Sequence, residues 1–490
     1  MVVLIGIDLG TTGVRVGVYN TRGEVLATGK SSICTQNIES WVEALIEATP
    51  SSLLRSFKPE EKIVTVDSTS GTALLVDKHG FPAYPPLMYY ETAPDEFNEL
   101  VKYDSARELT KRGVEISPTS PLPKIMRIMS TSPSSFDKVK WILPPTSWLL
   151  YRLHFKEGDI WRDLSVDWTN ALKFGEDVTG RKPCWFTAIF KDANVPTDLL
   201  PPIVPCGEFL GLAESKLAER LGLKGANLYQ GMTDGNASAL ATGCLEPGDF
   251  GLGCGTTTVP KFVCEELKPH PALYYHKHPV RGFLAGAAPV TGTMLEWVAE
   301  KVFGISIDEA FSLATNVKPG EEESFYFPQG DRSPFNDPIL GASLIKLWPD
   351  HKTKEEVRGK IFRSMLLGIT FLEYFYIQLF EKIFKTSIRD VKLTGGGARN
   401  RMWNAMRAAV YERTVKVMEE RAGIGALIPV VLKLNLFEDA SEASSMLLKV
   451  IDVVNPDEEL ASKYRPSRDL FMHRWKKIRE TLHIKPFEKN

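Results

Sequence analysis

Two stretches of this 490-residue chain are written in one grammar. "IGIDLGTTGVRVGVY" (5–19) alternates apolar residues, turns through Gly-Thr-Thr-Gly and alternates again. "GDFGLGCGTTTVPKFV" (248–263) does the same around Gly255, Thr256 and Thr257. Repetition of a supersecondary unit half a chain apart constrains the fold more than any local propensity, because it predicts two lobes built on one plan. The length agrees: a chain of this size exceeds what one hydrophobic core supports, and two large domains are expected.

The first 33 residues read as a β-meander. "VVLIGIDL", "VRVGVYN" and "VLATGKSSI" are strand-like runs separated by the short turns "GTTG" and "TRGE". Gly10 and Gly13 permit positive φ and leave backbone N–H groups uncovered, while Thr11 and Thr12 add hydroxyl donors, so the tip can cradle a phosphate. The same four residues also suit an ordinary polar turn. The second tip changes the balance: two phosphate-cradling hairpins, one per lobe, predict a nucleotide held in a cleft between domains. A third cluster, "VKLTGGGARNRMWNAM", places Gly395, Gly396 and Gly397 between an apolar strand and an amphipathic helix. That order is a nucleotide-contact geometry, although three glycines also serve a sharp turn.

Charge and cysteine usage narrow the partners. With 59 basic and 61 acidic residues the net charge is −2, which gives no electrostatic reason to expect nucleic acid or an anionic membrane. No apolar run approaches the roughly 20 residues of a membrane span. The six cysteines are scattered without CxxC spacing, and "MVVLIGIDLG" has no basic n-region, so a reduced, cytoplasmic protein without a metal cluster is expected. The partner is expected to be a small molecule.

Five landmarks in order now carry a resemblance. "GIDLGTTGVRVGVYNTRGEVLA", "GMTDGNASALATGCLEPG", "GLGCGTTTVP", "FPQGDRSPFND" and "LTGGGARNRMWNAMRAAV" together resemble the FGGY family of carbohydrate kinases, within the actin-like ATPase superfamily. The resemblance implies an α/β fold of two ribonuclease-H-like domains, each a mixed β-sheet flanked by helices, here 1–243 and 244–490. It implies ATP and a small sugar as substrates, Mg²⁺ as cofactor, and transfer to a terminal hydroxyl. A homodimer is the assembly left open. A non-metabolic actin-like ATPase is the rival class; Asp234 and the "DRSP" loop argue against it.

Phosphoryl transfer needs positioning, charge neutralisation and a base for the attacking hydroxyl. Asp234 stands where a strand-like stretch gives way to a small-residue helix, a position that suits an N-cap as well as a base; the resemblance matches it to the catalytic aspartate. Asp8, beside the first tip, can anchor a hydrated Mg²⁺ through water. It also suits a charge guarding an edge strand. The resemblance assigns Gly10, Thr11, Thr12 and Gly13, with Gly255, Thr256 and Thr257, to the phosphates, and Gly395, Gly396, Gly397 and Asn400 to the adenosine. It assigns Asp8, Thr12, Gly13, Ser70 and Asp234 to the substrate.

Ser70, Gly71 and Thr72 are expected in the sugar pocket, with turn chemistry as the other reading of Ser70 and Thr72. "DSTSGTALL", "YYETAP" and "DWTNALKFG" resemble the D-ribulose kinase branch. Residues 88–92 lack the arginine of glycerol kinases, so D-ribulose is expected first, D-xylulose next and glycerol last. Lys124 occupies the family's signature lysine position, with Arg127 where a tryptophan is expected, and little is assigned to it. His276 and His278 have no companions at zinc-ligand spacing. "FRSMLLGITFLEYFYIQLFEKIF" reads as a core helix between the domains, and "NPDEELASKYRPSRDLFMHRWKKIRETL" as a terminal helix packing on the body.

Overall fold

The computed structural model describes residues 2–179, 182–322, 324–330, 333–337, 339–346 and 353–482. The chain divides into two compact units. Unit 1 comprises Met1–Ala241, Tyr275–Leu284 and Arg421–Leu448, and unit 2 comprises Thr242–Tyr274, Ala285–Glu420 and Lys449–Asn490. The division expected at 243/244 thus falls at 241/242, and two later segments return to unit 1 instead of staying with the second half.

In unit 1 the predicted meander forms as β1 (Val3–Leu9), β2 (Gly13–Asn20) and β3 (Val25–Ser32), antiparallel throughout. β4 (Lys62–Ser68) runs parallel to β1 on its other edge. Phe209–Leu212 and Asn227–Tyr229 continue the sheet beyond β4, and the two-residue strand Met232–Thr233 also pairs with β4. Val3, Ile5, Ile7 and Leu9 of β1 and Val14, Val16 and Val18 of β2 share the core with Trp41 and Leu45 of α1 (Ile38–Ala48) and with Trp148. Each such buried aliphatic contributes about 1.5–3 kcal/mol. A one-residue slip would turn all seven outward and drive Asp8 into the core, so the alternation fixes the register.

The opposite face of β1 carries Leu4, Gly6 and Asp8. A Cβ on Gly6 would stand 2.5 Å from the Gly423 carbonyl oxygen, and one on Gly425 would stand 1.9 Å from that of Ala237. These close approaches seat the Ile424–Lys433 helix against β1, β4 and the Asp234–Ala241 helix. This is why residues 421–448 belong to unit 1.

Unit 2 repeats the plan. Phe250–Cys254 pairs antiparallel with Thr258–Cys264 through the second Gly-Thr-Thr tip, and parallel with Asp390–Thr394, which leads to Thr414–Met418 and Val450–Val454. The sheet's other two strands are Tyr274–Lys277 and Phe283–Gly286. The core helix expected between the domains is a 31-residue helix, Lys354–Phe384, that belongs wholly to unit 2 instead, where its Phe380 and Phe384 stack on Phe262. The terminal helix spans Glu458–Leu482 and buries Tyr464, Phe471 and Trp475. Among the described residues no helix is long and apolar enough to cross a membrane.

Candidate active site

Parallel register puts Asp8 of β1 directly beside Asp67 of β4. Met232–Thr233 lies on the other edge of β4 with Thr233 beside Ser68, so Asp234, the next residue, opens its helix at the same strand end. Three carboxylates therefore converge. Burial raises the pKa of Asp8, with Arg15 and a hydrogen bond to Asp67 opposing it. Burial lifts Asp67 well above the usual carboxylate range, reinforced by the charges of Asp8 and Asp234. Oδ2 of Asp67 is buried with no partner among the described residues. Asp234 is the first helical residue rather than a residue outside the helix, and its Oδ1 accepts from the Gly235 N–H at 2.6 Å. A carboxylate at a helix N-terminus is favoured in its charged form.

Asp67 and Arg15 carry no assignment from sequence. Arg15 lies opposite Asp8 across the hairpin and donates to its Oδ2 at 3.3 Å while remaining largely exposed. Pairing β1 with β2 by their alternation would have found Arg15; nothing local to "VDSTSG" announces that Asp67 meets Asp8. At the first tip, the Gly10 N–H donates to the Gly13 carbonyl at 3.0 Å, and Thr12 is exposed. A Cβ on Gly13 would stand 2.5 Å from the Ser31 carbonyl oxygen, so only glycine fits there.

The loops expected to hold sugar separate by role. Thr72 is fully buried and its hydroxyl serves the loop itself, bonding Thr69 at 3.0 Å and accepting from the Tyr89 N–H at 3.2 Å. The Ser70 hydroxyl oxygen is buried without a partner among the described residues. Lys124, to which sequence assigned little, ties the two loops together: its buried ammonium donates to the carbonyls of Gly71 at 3.1 Å and Met88 at 2.7 Å. Burial brings its pKa down to about 8. Near Asp234, Asp167 caps the Trp168–Gly175 helix by accepting from the N–H groups of Thr169 and Asn170. The Thr169 hydroxyl in turn accepts from the Thr233 N–H at 3.0 Å, which holds the residue preceding Asp234.

In unit 2 a cavity of about 730 Å³ opens between the second tip and the glycine cluster. Gly255, Thr256, Gly396, Gly397 and Asn400 line it; Thr257 and Gly395 do not. Gly395 adopts φ 93°, and a Cβ there would stand 2.6 Å from the Cys254 carbonyl oxygen. Asn400 caps the Arg401–Tyr411 helix, its Oδ1 accepting from the Trp403 N–H at 2.9 Å. The far wall comes from Ile307–Thr315, through Asp308, Phe311 and Ser312, which sequence reading missed. Of the "DRSP" loop, Asp331 and Arg332 lie outside the described residues. Its Ser333 hydroxyl donates to the Ala272 carbonyl and bonds Tyr376, both at 2.6 Å.

Both halves of the chain match family profiles: the N-terminal domain of the FGGY family of carbohydrate kinases over residues 3–241 and its C-terminal domain over 252–428. The chain is an FGGY-family carbohydrate kinase. A xylulose kinase of Bacillus subtilis is 25% identical to it over 514 aligned positions, covering 99% of each chain. A gluconokinase of the same organism is 22% identical, covering 96% of this chain and 95% of its own. Among solved structures, a ligand-bound xylulose kinase from Lactobacillus acidophilus superposes with a TM-score of 0.82 at 16% identity, with 99% of each chain covered. The kinase's two α/β units thus follow the fold expected for it. These relatives are named for xylulose and gluconate, not for D-ribulose, the sugar expected first from sequence.

Proposed function

We propose that this FGGY kinase transfers the γ-phosphoryl group of ATP to the terminal hydroxyl of an open-chain ketopentose, D-xylulose before D-ribulose. The convergence of Asp8, Asp67 and Asp234 at one strand end carries the reading, because it sets a proton acceptor beside an oxygen-rich cation position. The full-length xylulose kinase relative supports D-xylulose over the D-ribulose order that the loop sequences suggested.

In this reading Asp234 accepts the proton of the attacking hydroxyl. The sugar oxygen bonds to the γ-phosphorus as the bond from that phosphorus to the β–γ bridging oxygen breaks, and ADP leaves. Gly10 through Gly13 and Gly255 through Thr257 present N–H and hydroxyl groups to the phosphates, and the unit 2 cavity takes the nucleoside. Among the described residues no three His, Cys, Asp or Glu side chains could hold a metal by themselves. One exposed edge of Asp8 beside the unpartnered Asp67 Oδ2 instead suits Mg²⁺, a hard cation that keeps most of its waters. Bound there through water, Mg²⁺ would neutralise phosphate charge.

A coupled assay with Mg²⁺ and ATP over D-xylulose, D-ribulose, D-gluconate and glycerol tests the proposal. D-Xylulose is expected to give the highest kcat/KM, and glycerol a value lower by about 10⁴-fold, since a three-carbon polyol leaves pocket groups unpaired. Preference for D-ribulose would restore the sequence-based order. Glycerol equal to both ketopentoses would refute the pocket assignment, and activity on none of the four would refute the substrate class.

A further inference from the structure

Behind the nucleotide cavity lies an ion pair with no solvent contact. Arg407, on the Arg401–Tyr411 helix, and Glu373, on the Lys354–Phe384 helix, are each 0% exposed. The guanidinium grips the carboxylate with two hydrogen bonds, Nε to Oε2 at 3.0 Å and Nη2 to Oε1 at 2.9 Å. Tyr411 donates its hydroxyl to the same carboxylate at 2.5 Å. These contacts alone would describe a structural pair.

The remaining donors of Arg407 point at the site. Nη1 donates to the Gly397 carbonyl at 2.8 Å and to Oδ1 of Asn404 at 3.2 Å, while Nδ2 of Asn404 donates to the Ala398 carbonyl at 2.7 Å. The glycine turn, whose Gly396 and Gly397 line the cavity, is therefore held from behind by a charged fork. The guanidinium also stacks 3.7 Å from the centre of the Trp403 ring, and Trp403 lines the same cavity. Nε1 of Trp403 donates to the Thr370 hydroxyl at 2.9 Å, on the helix that carries Glu373.

We infer that Arg407, fixed by Glu373, is a positioning residue for nucleotide binding: it sets the carbonyl of Gly397 and the plane of Trp403 that together shape the cavity. Two arguments support this over simple cohesion. A well-packed apolar pair is commonly as stable as a buried ion pair, so stability does not require the charges. Only the planar arginine fork can bond Glu373, Gly397 and Asn404 while stacking on an indole; a lysine cannot. The inference rests on the proposed reading of this cavity as the nucleotide site.

The test separates the two. ATP binding to the full-length wild-type protein is measured first by titration calorimetry; absence of binding would overturn the nucleotide reading itself. KM for ATP, KM for sugar and kcat are then compared in Arg407→Lys and in the apolar double variant Arg407→Met with Glu373→Leu, with folding checked by thermal denaturation. Both variants are expected to raise KM for ATP by at least about tenfold, with KM for sugar changed by less than about twofold and kcat by less than about threefold. The double variant is expected to melt near the wild-type temperature, which removes instability as an explanation. Wild-type KM for ATP in either folded variant would overturn the inference, as would equal losses in both KM values and kcat. If the double variant fails to fold, Arg407→Lys decides alone by the same criteria.

Discussion

Where unit 1 sets Asp8 beside Asp67, unit 2 sets Gly253 beside Thr394, at the same distance before the Gly-Thr-Thr tip and on the same parallel pair of strands. The difference extends beyond the hairpins. Unit 2 buries its acids against arginine: Glu373 with Arg407, and Glu322 with Arg363 at 2.6 Å, where both side chains are 4% exposed. Tyr464 adds a further bond to Glu322. Among the described residues, unit 1 buries Asp67, Asp167 and Glu176 without a buried guanidinium, and burial raises the pKa of each. Buried carboxylates without a cationic partner cost stability, and the crowding of Asp67 with Asp8 and Asp234 at one strand end is the kind of perturbation that clusters at functional sites. One plan thus carries crowded carboxylates in one half and arginine-paired carboxylates in the other.

The largest expected effect tests the crowded carboxylates of unit 1. Asp234→Ala should lower kcat by about 10²–10⁴-fold, the range of general-base catalysis, with ATP affinity little changed. Turnover near that of the wild type would remove Asp234 from the chemistry and with it the main contrast between the units.

Next come the arginine-paired carboxylates of unit 2. Arg363→Met leaves the Glu322 carboxylate buried and uncompensated, and should destabilise the protein by about 3–5 kcal/mol. Pairing it with Glu322→Leu should recover most of that loss in a denaturant titration. A single variant as stable as the double would mean that unit 2 does not depend on its charge pairing.

A smaller effect of opposite sign is expected at Asp67. Asp67→Asn removes one of three crowded carboxylates and should raise stability by about 0.5–1 kcal/mol, the scale of substitutions that relieve a functional site, while reducing kcat. A lowered melting temperature would show that Asp67 is a structural acid like those of unit 2.

The last effect is a slope. Burial raises the pKa of Glu176 to about 8, with Lys277 the main opposing charge. A carboxyl whose folded pKa is raised stabilises fully below its unfolded value, near 4.5, and loses that contribution as pH rises toward 8. Melting temperature should therefore decline from pH 5 to pH 8, and Glu176→Gln should flatten the decline. An unchanged slope would free Glu176 from the contrast.

Sequence by itself determined the features that depend on near neighbours. Alternation with a period of two gave the β1–β2–β3 meander and its repeat at Phe250–Cys254, and glycine gave the tips and the turn at Gly395–Gly397. The same periodicity carried Asp8 to the face away from the core. The position of Asp234 after a strand, opening a helix, was legible for the same reason. Tertiary structure alone decided what depends on register between distant strands and on helices meeting sheets. Asp67 meets Asp8 only because β4 pairs in parallel 59 positions along the chain. The Phe311 wall, the Lys124 bridge between two loops and the return of residues 421–448 to unit 1 have no local signature either. Each is set by which surfaces can approach closely: Gly6 against Gly423, or a buried ammonium against two carbonyls, contacts that no window of neighbouring residues contains.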